Sequence, residues 1–196
     1  MDIEGRVRVI DSLLSAAPPI RPGGSLLIMV GLPGAGKTAL VAALQSLLPC
    51  VVISTDWVRW QLFHPPAFTA DEMALVYQVC YQLVSGRLAL GQRVIFDASN
   101  YLAARRQRLL DVARRQGAAV AICYVQASEE VTRQRLAQRV DGRRRPEDWS
   151  RADWPIYQWM AGLLEPVTEP HLALDTSAAS ASTLAGQLRD YWLSCE

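Results

Sequence analysis

Five short apolar runs, separated by longer stretches of helical periodicity, set the pattern of this chain. The runs are Ser25-Leu26-Leu27-Ile28-Met29-Val30, Cys50-Val51-Val52-Ile53-Ser54, Arg93-Val94-Ile95-Phe96-Asp97, Ala118 to Val125 and His171-Leu172-Ala173-Leu174-Asp175. They are nearly continuous in apolar residues instead of alternating, as strands covered on both faces of a parallel sheet are. Between them lie helical patterns. Residues 2–16 put Ile3, Val7, Ile10, Leu13 and Leu14 on one side, and Ala39 to Leu48 follows the first strand. Residues 70–90 space Met73, Val76, Tyr77, Cys80, Val84 and Leu88 at helical intervals and stop at Gly91. Further helices are predicted over 102–116, from Ser128 onward with Ser128 as N-cap, over 147–164, and from Leu184 to Leu193. Prolines and glycines punctuate the chain at Pro18, Pro19, Pro22, Gly23, Gly24, Pro49, Pro166 and Pro170, and 60–70 reads as irregular, with His64 in a solvated loop. Strands alternating with helices predict an α/β fold around a parallel sheet.

Composition narrows this picture modestly. The chain has 196 residues, the size of one domain, and is 51% hydrophobic and 20% charged, enough for a substantial core. A net charge of +1 calls for no polyanionic partner. Cys50, Cys80, Cys123 and Cys195 contain no C-x-x-C pair and read as small hydrophobes in a reducing compartment. No apolar run reaches the roughly 18 residues of a membrane span, and Met1-Asp2-Ile3-Glu4 is an acidic start unlike a signal peptide, so a cytoplasmic protein is expected.

The first strand leads directly into Gly31-Leu32-Pro33-Gly34-Ala35-Gly36-Lys37-Thr38, which fits G-x-x-x-x-G-K-[ST], the phosphate-binding P-loop, and a helical pattern follows at once. Glycines let successive backbone N–H groups turn inward on phosphate oxygens, and the helix N-terminus adds partial positive charge. Lys37 supplies a full charge to the β- and γ-phosphates, and the Thr38 hydroxyl is placed to ligate Mg²⁺. The chain carries nineteen arginines and one lysine, and that lysine is Lys37. A compact ammonium fits a tight loop where a planar guanidinium does not.

Other candidate groups follow the later strands. Asp56, after strand two, belongs on the same carboxyl edge as the P-loop. It could take a proton from an attacking hydroxyl, or cap the next helix. Arg59 shares its face one turn on. Tyr77 and Tyr81 fit core packing better than acceptor contact. Asp97 ends strand three at the Walker B position, but Ala98 follows where motor ATPases carry glutamate, and a guanine-specific Asn-Lys-x-Asp element is excluded by the single lysine. Arg105, Arg106, Arg108, Arg114 and Arg115 read as a mostly solvated helix face. Seven arginines fall between 133 and 151, with Arg135 and Arg139 stacked four apart. This stretch, about 133–155, reads as a lid bringing cations over a transferring phosphoryl group, or as a basic surface helix.

Together Gly31–Thr38, Ile53-Ser54-Thr55-Asp56-x-x-Arg59, Val94-Ile95-Phe96-Asp97-Ala98-Ser99-Asn100, the Arg135-x-x-x-Arg139 pair and Asp175-Thr176-Ser177 resemble the P-loop kinases grouped with polynucleotide 5′-kinase domains and AAA-like kinases. The likeness covers about residues 25–180. It implies a P-loop NTPase fold, a five-stranded parallel sheet of order 2-3-1-4-5 with helices on both faces, in a single kinase domain over 1–196. It implies ATP and Mg²⁺ as cofactors. It assigns phosphate binding to Gly31, Gly34, Ala35, Gly36, Lys37, Thr38, Arg135 and Arg139, with Lys37, Asp56 and Arg139 catalytic and Asp56 the base. Asp56 and Arg59 would bind the acceptor, Thr38 and Asp97 the metal, with orienting Asp56 the alternative for Asp97 and stacking near adenine the alternative for Arg139. The acceptor would be a small molecule or a nucleic-acid 5′-end, with no membrane and no obligate protein partner. Ala98-Ser99-Asn100 replaces the family's more usual Ala-Thr-Asn. Trp57 and Trp60 beside Arg59 are open to packing or to stacking on an aromatic acceptor, and the presence of only Arg59 and Arg87 as cations in 57–92 tips the reading toward a small or short acceptor. The alternative is a nucleotide-binding regulatory module with little transfer activity.

Overall fold

The five apolar runs become five parallel strands of one sheet: β1 Ser25–Val30, β2 Val51–Ser54, β3 Arg93–Asp97, β4 Ala119–Gln126 and β5 Leu172–Asp175, in the order β2-β3-β1-β4-β5. The computed structural model describes residues 2–140 and 149–196. Eight helices are described: α1 Ile3–Leu13, α2 Lys37–Gln45, α3 Thr55–Leu62, α4 Ala70–Ala89, α5 Ala103–Gln116, α6 Glu129–Val140, α7 Trp154–Gly162 and α8 Ala181–Cys195.

β1 is central and buried along its whole length. Leu26 stands opposite Val94 and Val120, and Ile28 opposite Phe96 and Ile122. Successive side chains leave a strand on opposite faces, and the two halves of the core follow from that. Leu26, Ile28 and Val30 pack with Val76, Val79 and Leu83 of α4 and Leu109 of α5. Leu27 and Met29 pack with Leu40 and Leu44 of α2 and with Leu184, Leu188 and Trp192 of α8. The buried Trp192 indole donates to Ser25 Oγ at 2.7 Å, which gives its one polar atom a partner. A sheet apolar on both faces thus requires the helices to divide between its two sides.

Caps explain several helix starts. Thr69 accepts from the Glu72 amide at 3.2 Å, Ser128 from Val131 at 3.3 Å and Ser180 from Thr183 at 3.2 Å. The predicted helix over 147–164 is shorter than its apolar spacing suggested. Asp153 accepts from the Ile156 amide at 3.0 Å and starts α7 there, so 149–153 is irregular. Residues 141–148, with Arg143, Arg144, Arg145 and the middle of the expected lid, lie outside the described residues. Among the described residues no helix is long and apolar enough to cross a membrane.

The α5 arginines divide. Arg108, Arg114 and Arg115 are exposed as expected, but Arg106 is fully buried. Its Nη2 donates to the Pro166 carbonyl at 2.6 Å, its Nη1 to the Asn100 carbonyl at 3.1 Å, and its Nε lies 3.4 Å from Glu169 Oε1. The segment between α7 and β5 crosses α5 without a strand to satisfy its carbonyls, and a planar fork of donors does so instead.

Two outcomes are expected. Arg106→Leu leaves those carbonyls without donors and Glu169 without its cation, at about 2–4 kcal/mol of stability. Thermal denaturation should fall by about 5–15 °C, with Arg108→Leu nearly neutral; equal effects from the two variants would contradict the stapling role. Burial, only partly opposed by Arg93 for Cys50, pushes the Cys50 and Cys123 thiols up to about 12, and burial also raises Cys80. All three stay protonated below that range, so at pH 8 iodoacetamide should label Cys195, the partly exposed cysteine, well before the other three. Rapid labelling of Cys50 or Cys123 in folded protein would count against their burial.

Candidate active site

The P-loop turns sharply from β1 into α2, and glycine conformations make the turn possible. Gly34 and Gly36 have φ of +81° and +93°. A Cβ on Gly34 would meet Thr132 of α6 at 2.8 Å, and one on Gly36 would meet Thr176 at 3.1 Å, so the loop is pressed against both. Its carbonyls are fastened from behind. Thr176 Oγ1 donates to the Ala35 carbonyl at 2.8 Å, and Arg135 Nη1 donates to the Gly34 carbonyl at 3.1 Å and to Thr176 Oγ1 at 2.8 Å. Arg135 Nη2 also reaches the Thr176 carbonyl at 3.0 Å. A trans peptide points its N–H away from its C=O, so tying down the Ala35 carbonyl turns the Gly36 amide toward the inside of the loop. Lys37 Nζ arches back onto the Leu32 carbonyl at 3.0 Å.

Two carboxylates come from the adjacent strands. Asp97 ends β3 and is 6% exposed, and Thr38 Oγ1 donates to its Oδ2 at 3.1 Å. The hydroxyl and the carboxylate form a hard oxygen pair beside the loop, the donor type that Mg²⁺ shares with nucleotide phosphates. Ser54, at the end of β2, caps α3 by accepting from the Trp57 amide at 3.4 Å. Asp56 therefore stands in the first turn of α3 and is not its cap. Its carboxylate is 37% exposed and pairs with Arg59 Nη1 at 3.0 Å, while Arg59 itself is buried.

These groups meet in one cavity of about 1030 Å³ at the carboxyl edge of the sheet. Gly34, Gly36, Lys37, Thr38, Asp56, Arg59, Asp97, Arg135 and Arg139 all line it. Gly31 and Ala35 do not. Gly31 lacks a side chain because a Cβ would lie 2.2 Å from the Val125 carbonyl, and the Ala35 methyl is buried with the α2 and α8 side chains. Arg133 instead pairs with Glu129 at 3.0 Å and lies 4.4 Å from the Trp154 ring of α7. Trp57 packs against the core. Trp60 donates to the Trp149 carbonyl at 3.1 Å and carries the Arg151 guanidinium 4.6 Å from its ring, so both tryptophans serve packing.

Other residues at or beside the cavity take roles that the sequence did not assign them. Arg105, expected on the solvated face, lies 4.3 Å from the Tyr77 ring and donates to its hydroxyl at 2.8 Å. Burial raises the Tyr77 hydroxyl above the ordinary phenol range against the pull of Arg105, so it stays protonated. Tyr77 belongs to the core, as expected, and lines the cavity too. Asn100 is buried with φ +46°, donates to the Met29 carbonyl at 2.7 Å and follows Ser99, whose carbonyl accepts from the Gly31 amide at 2.9 Å. Aspartate, asparagine and threonine after strand ends were the available signal, since that edge is where α/β sheets bind ligands.

Known structures share this architecture. A proposed kinase from Chloroflexus aurantiacus aligns over 86% of this chain and 98% of its own, with 19% identity and a TM-score of 0.69. The APS kinase of Mycobacterium tuberculosis, solved with AMPPNP and APS, aligns over 87% and 98%, with 18% identity and a TM-score of 0.65. Kti12 of Chaetomium thermophilum, solved with ADP-AlF3, aligns over 86% and 99%, with 20% identity and a TM-score of 0.66. At these identities the likeness is one of fold, the five-stranded P-loop fold expected from the motifs. A family model described as AAA domain matches residues 26–161, from the first sheet strand to the end of α7, and the chain belongs to that family.

Proposed function

We propose that this chain is an ATP- and Mg²⁺-dependent kinase that moves the γ-phosphoryl group of ATP to a hydroxyl of a small or short acceptor. The observation that carries this reading is a single cavity lined both by the P-loop ammonium, Lys37, and by a solvent-reached carboxylate, Asp56. A volume of about 1030 Å³ exceeds what a triphosphate tail needs and leaves room for a second molecule.

In this reading the P-loop amides and Lys37 hold the β- and γ-phosphates. Thr38 and Asp97 hold Mg²⁺, which neutralises phosphate charge when bound. Asp56 takes the proton of the acceptor hydroxyl as its oxygen bonds to the γ-phosphorus and the bond to the β–γ bridging oxygen breaks, leaving ADP. The 3.0 Å pair with Arg59 fixes the Asp56 carboxylate in place, turned to the acceptor. Arg139 meets charge on the transferring oxygens. Arg135, already bonded to Gly34 and Thr176, contributes by holding the loop in its phosphate-binding shape. Four unpaired cysteines, three of them buried, suit a cytoplasmic setting.

The second reading, a nucleotide-binding regulatory module, has one observation in its favour. Trp149, Ile156, Trp159 and Leu163 leave apolar surface exposed on α7 and just beyond each of its ends. ATP consumption measured against a panel of hydroxyl acceptors separates the two: acceptor-stimulated turnover supports a kinase, and ATP binding without it supports the module.

The general base has its own test. Asp56→Asn should lower kcat by about 10²–10⁴-fold while ATP affinity, measured by calorimetry, changes about twofold or less. Full turnover in that variant would remove Asp56 from the chemistry.

A further inference from the structure

Phe68 has φ +59°, in the left-handed region that bulky residues rarely adopt. It is held there by Glu72. Glu72 Oε1 accepts from the Ala67 amide at 3.0 Å and Oε2 from the Phe68 amide at 2.7 Å. Thr69 caps α4, and Glu72 is its third residue, from which a capping-box glutamate turns back to the cap residue's own amide. Here both oxygens reach past the cap to the two residues before it, and the bend they fix sets the Phe68 ring 4.9 Å from the Arg59 guanidinium and against the cavity. The ring remains 41% exposed. Strain held in place beside a cleft is a feature of ligand clamps.

Arg59 supplies the second observation. It is 4% exposed and lines the cavity. Its Nη1 pairs with Asp56, its Nη2 meets only the Met73 thioether at 3.1 Å, a weak acceptor, and its buried Nε has no hydrogen-bond partner. A buried guanidinium so poorly satisfied can hold an anion. Much of the surrounding wall is aromatic or aliphatic. Met73, Tyr77, Tyr101, Ile156 and Trp159 line the same cavity, and Trp159 is 60% exposed, edge-on to Tyr101 at 6.1 Å. A polyhydroxyl acceptor would need polar partners where these rings stand. A long polynucleotide would need a row of cations, and the described acceptor-side lining offers three scattered ones: Arg59, already sharing Asp56, Arg105, held on the Tyr77 ring, and Arg151, held over the Trp60 ring.

Building on the kinase reading of the same cavity, we propose that the acceptor combines a planar apolar body, one anionic group and the reactive hydroxyl. Phe68 and Trp159 contact the planar body, Arg59 takes the anion, and Glu72 is the positioning residue that holds Phe68.

Four probes test this with full-length protein, Mg²⁺ and a non-hydrolysable ATP analogue, followed by calorimetry and tryptophan fluorescence. 3-Phenyllactate and adenosine 3′-monophosphate carry ring, anion and hydroxyl, as a small aromatic acid and as a nucleotide. Gluconate lacks the ring, and 2-phenylethanol lacks the anion. At least one of the first two should bind tenfold or more tightly than gluconate and 2-phenylethanol and quench fluorescence, the quench being lost in Trp159→Ala. Phe68→Ala and Glu72→Gln should each weaken that probe fivefold or more, with the analogue's affinity and the Tm unchanged, and Phe68→Tyr should keep it. Gluconate binding as tightly, no probe binding at all, or indifference of the best probe to both Phe68→Ala and Trp159→Ala would overturn the proposal. Repeating the assay with ATP separates it from the reading beneath it. Ring-dependent binding without phosphate transfer would defeat the kinase and keep the clamp. Transfer to gluconate untouched by Phe68→Ala would keep the kinase and defeat the clamp.

Discussion

Backbone amides can grip a phosphate only if the carbonyls of the same peptides are held on the other side. In this chain that hold is the Thr176–Ala35 and Arg135–Gly34 pair of hydrogen bonds behind the P-loop. Thr176 follows β5 and Arg135 lies on α6, so elements distant in sequence are needed to shape eight residues after β1. A free glycine-rich loop would lose much conformational entropy on closing around a ligand. A loop already braced by Thr132, Arg135 and Thr176 has met that cost during folding, and its amides are oriented before a nucleotide arrives.

The parallel sheet does the rest of the positioning. Because all strands run one way, Val30, Ser54 and Asp97 end at one edge, and the loops leaving them carry Lys37, Asp56 and Asp97 to one cavity. β1 is buried on both faces, so a shift of one residue in its register would exchange the two halves of the core. The edge is stiffened further by Asn100 on the Met29 carbonyl and by Arg106 on the Asn100 and Pro166 carbonyls. A buried charged staple of this kind ties the turn after β3 to the segment entering β5.

Legibility in the sequence followed the range of the interaction. The strands showed because burial on both faces makes an apolar run with no alternation, and the sheet order came with the family likeness. The P-loop showed because its physics is local: glycines for the turn, one ammonium, one hydroxyl. Asp56, Arg59 and Asp97 were placed by their position after strands, and the cavity collects all three. What could not be read was long-range. Nothing in the spacing of Arg105 and Arg106 distinguishes them from Arg108, because the carbonyls that bury Arg106 come sixty residues later. Thr176 looked like one letter of a weak motif until its hydroxyl met the loop. Trp149 and Trp154 fit a helical period over 147–164, yet Trp149 offers its carbonyl to Trp60 and Asp153 starts the helix.

The account rests on a positive charge inside a preformed ring of amides. Calorimetric titration of ATP with Mg²⁺ into Lys37→Ala tests this most directly, with the thermal stability of the ligand-free variant measured beside it. Removing the ammonium should weaken ATP by about 100-fold, or ~2.7 kcal/mol, while the ligand-free Tm stays close to that of the parent protein. Affinity within about twofold of the parent protein would contradict the claim that this loop is where the nucleotide is held.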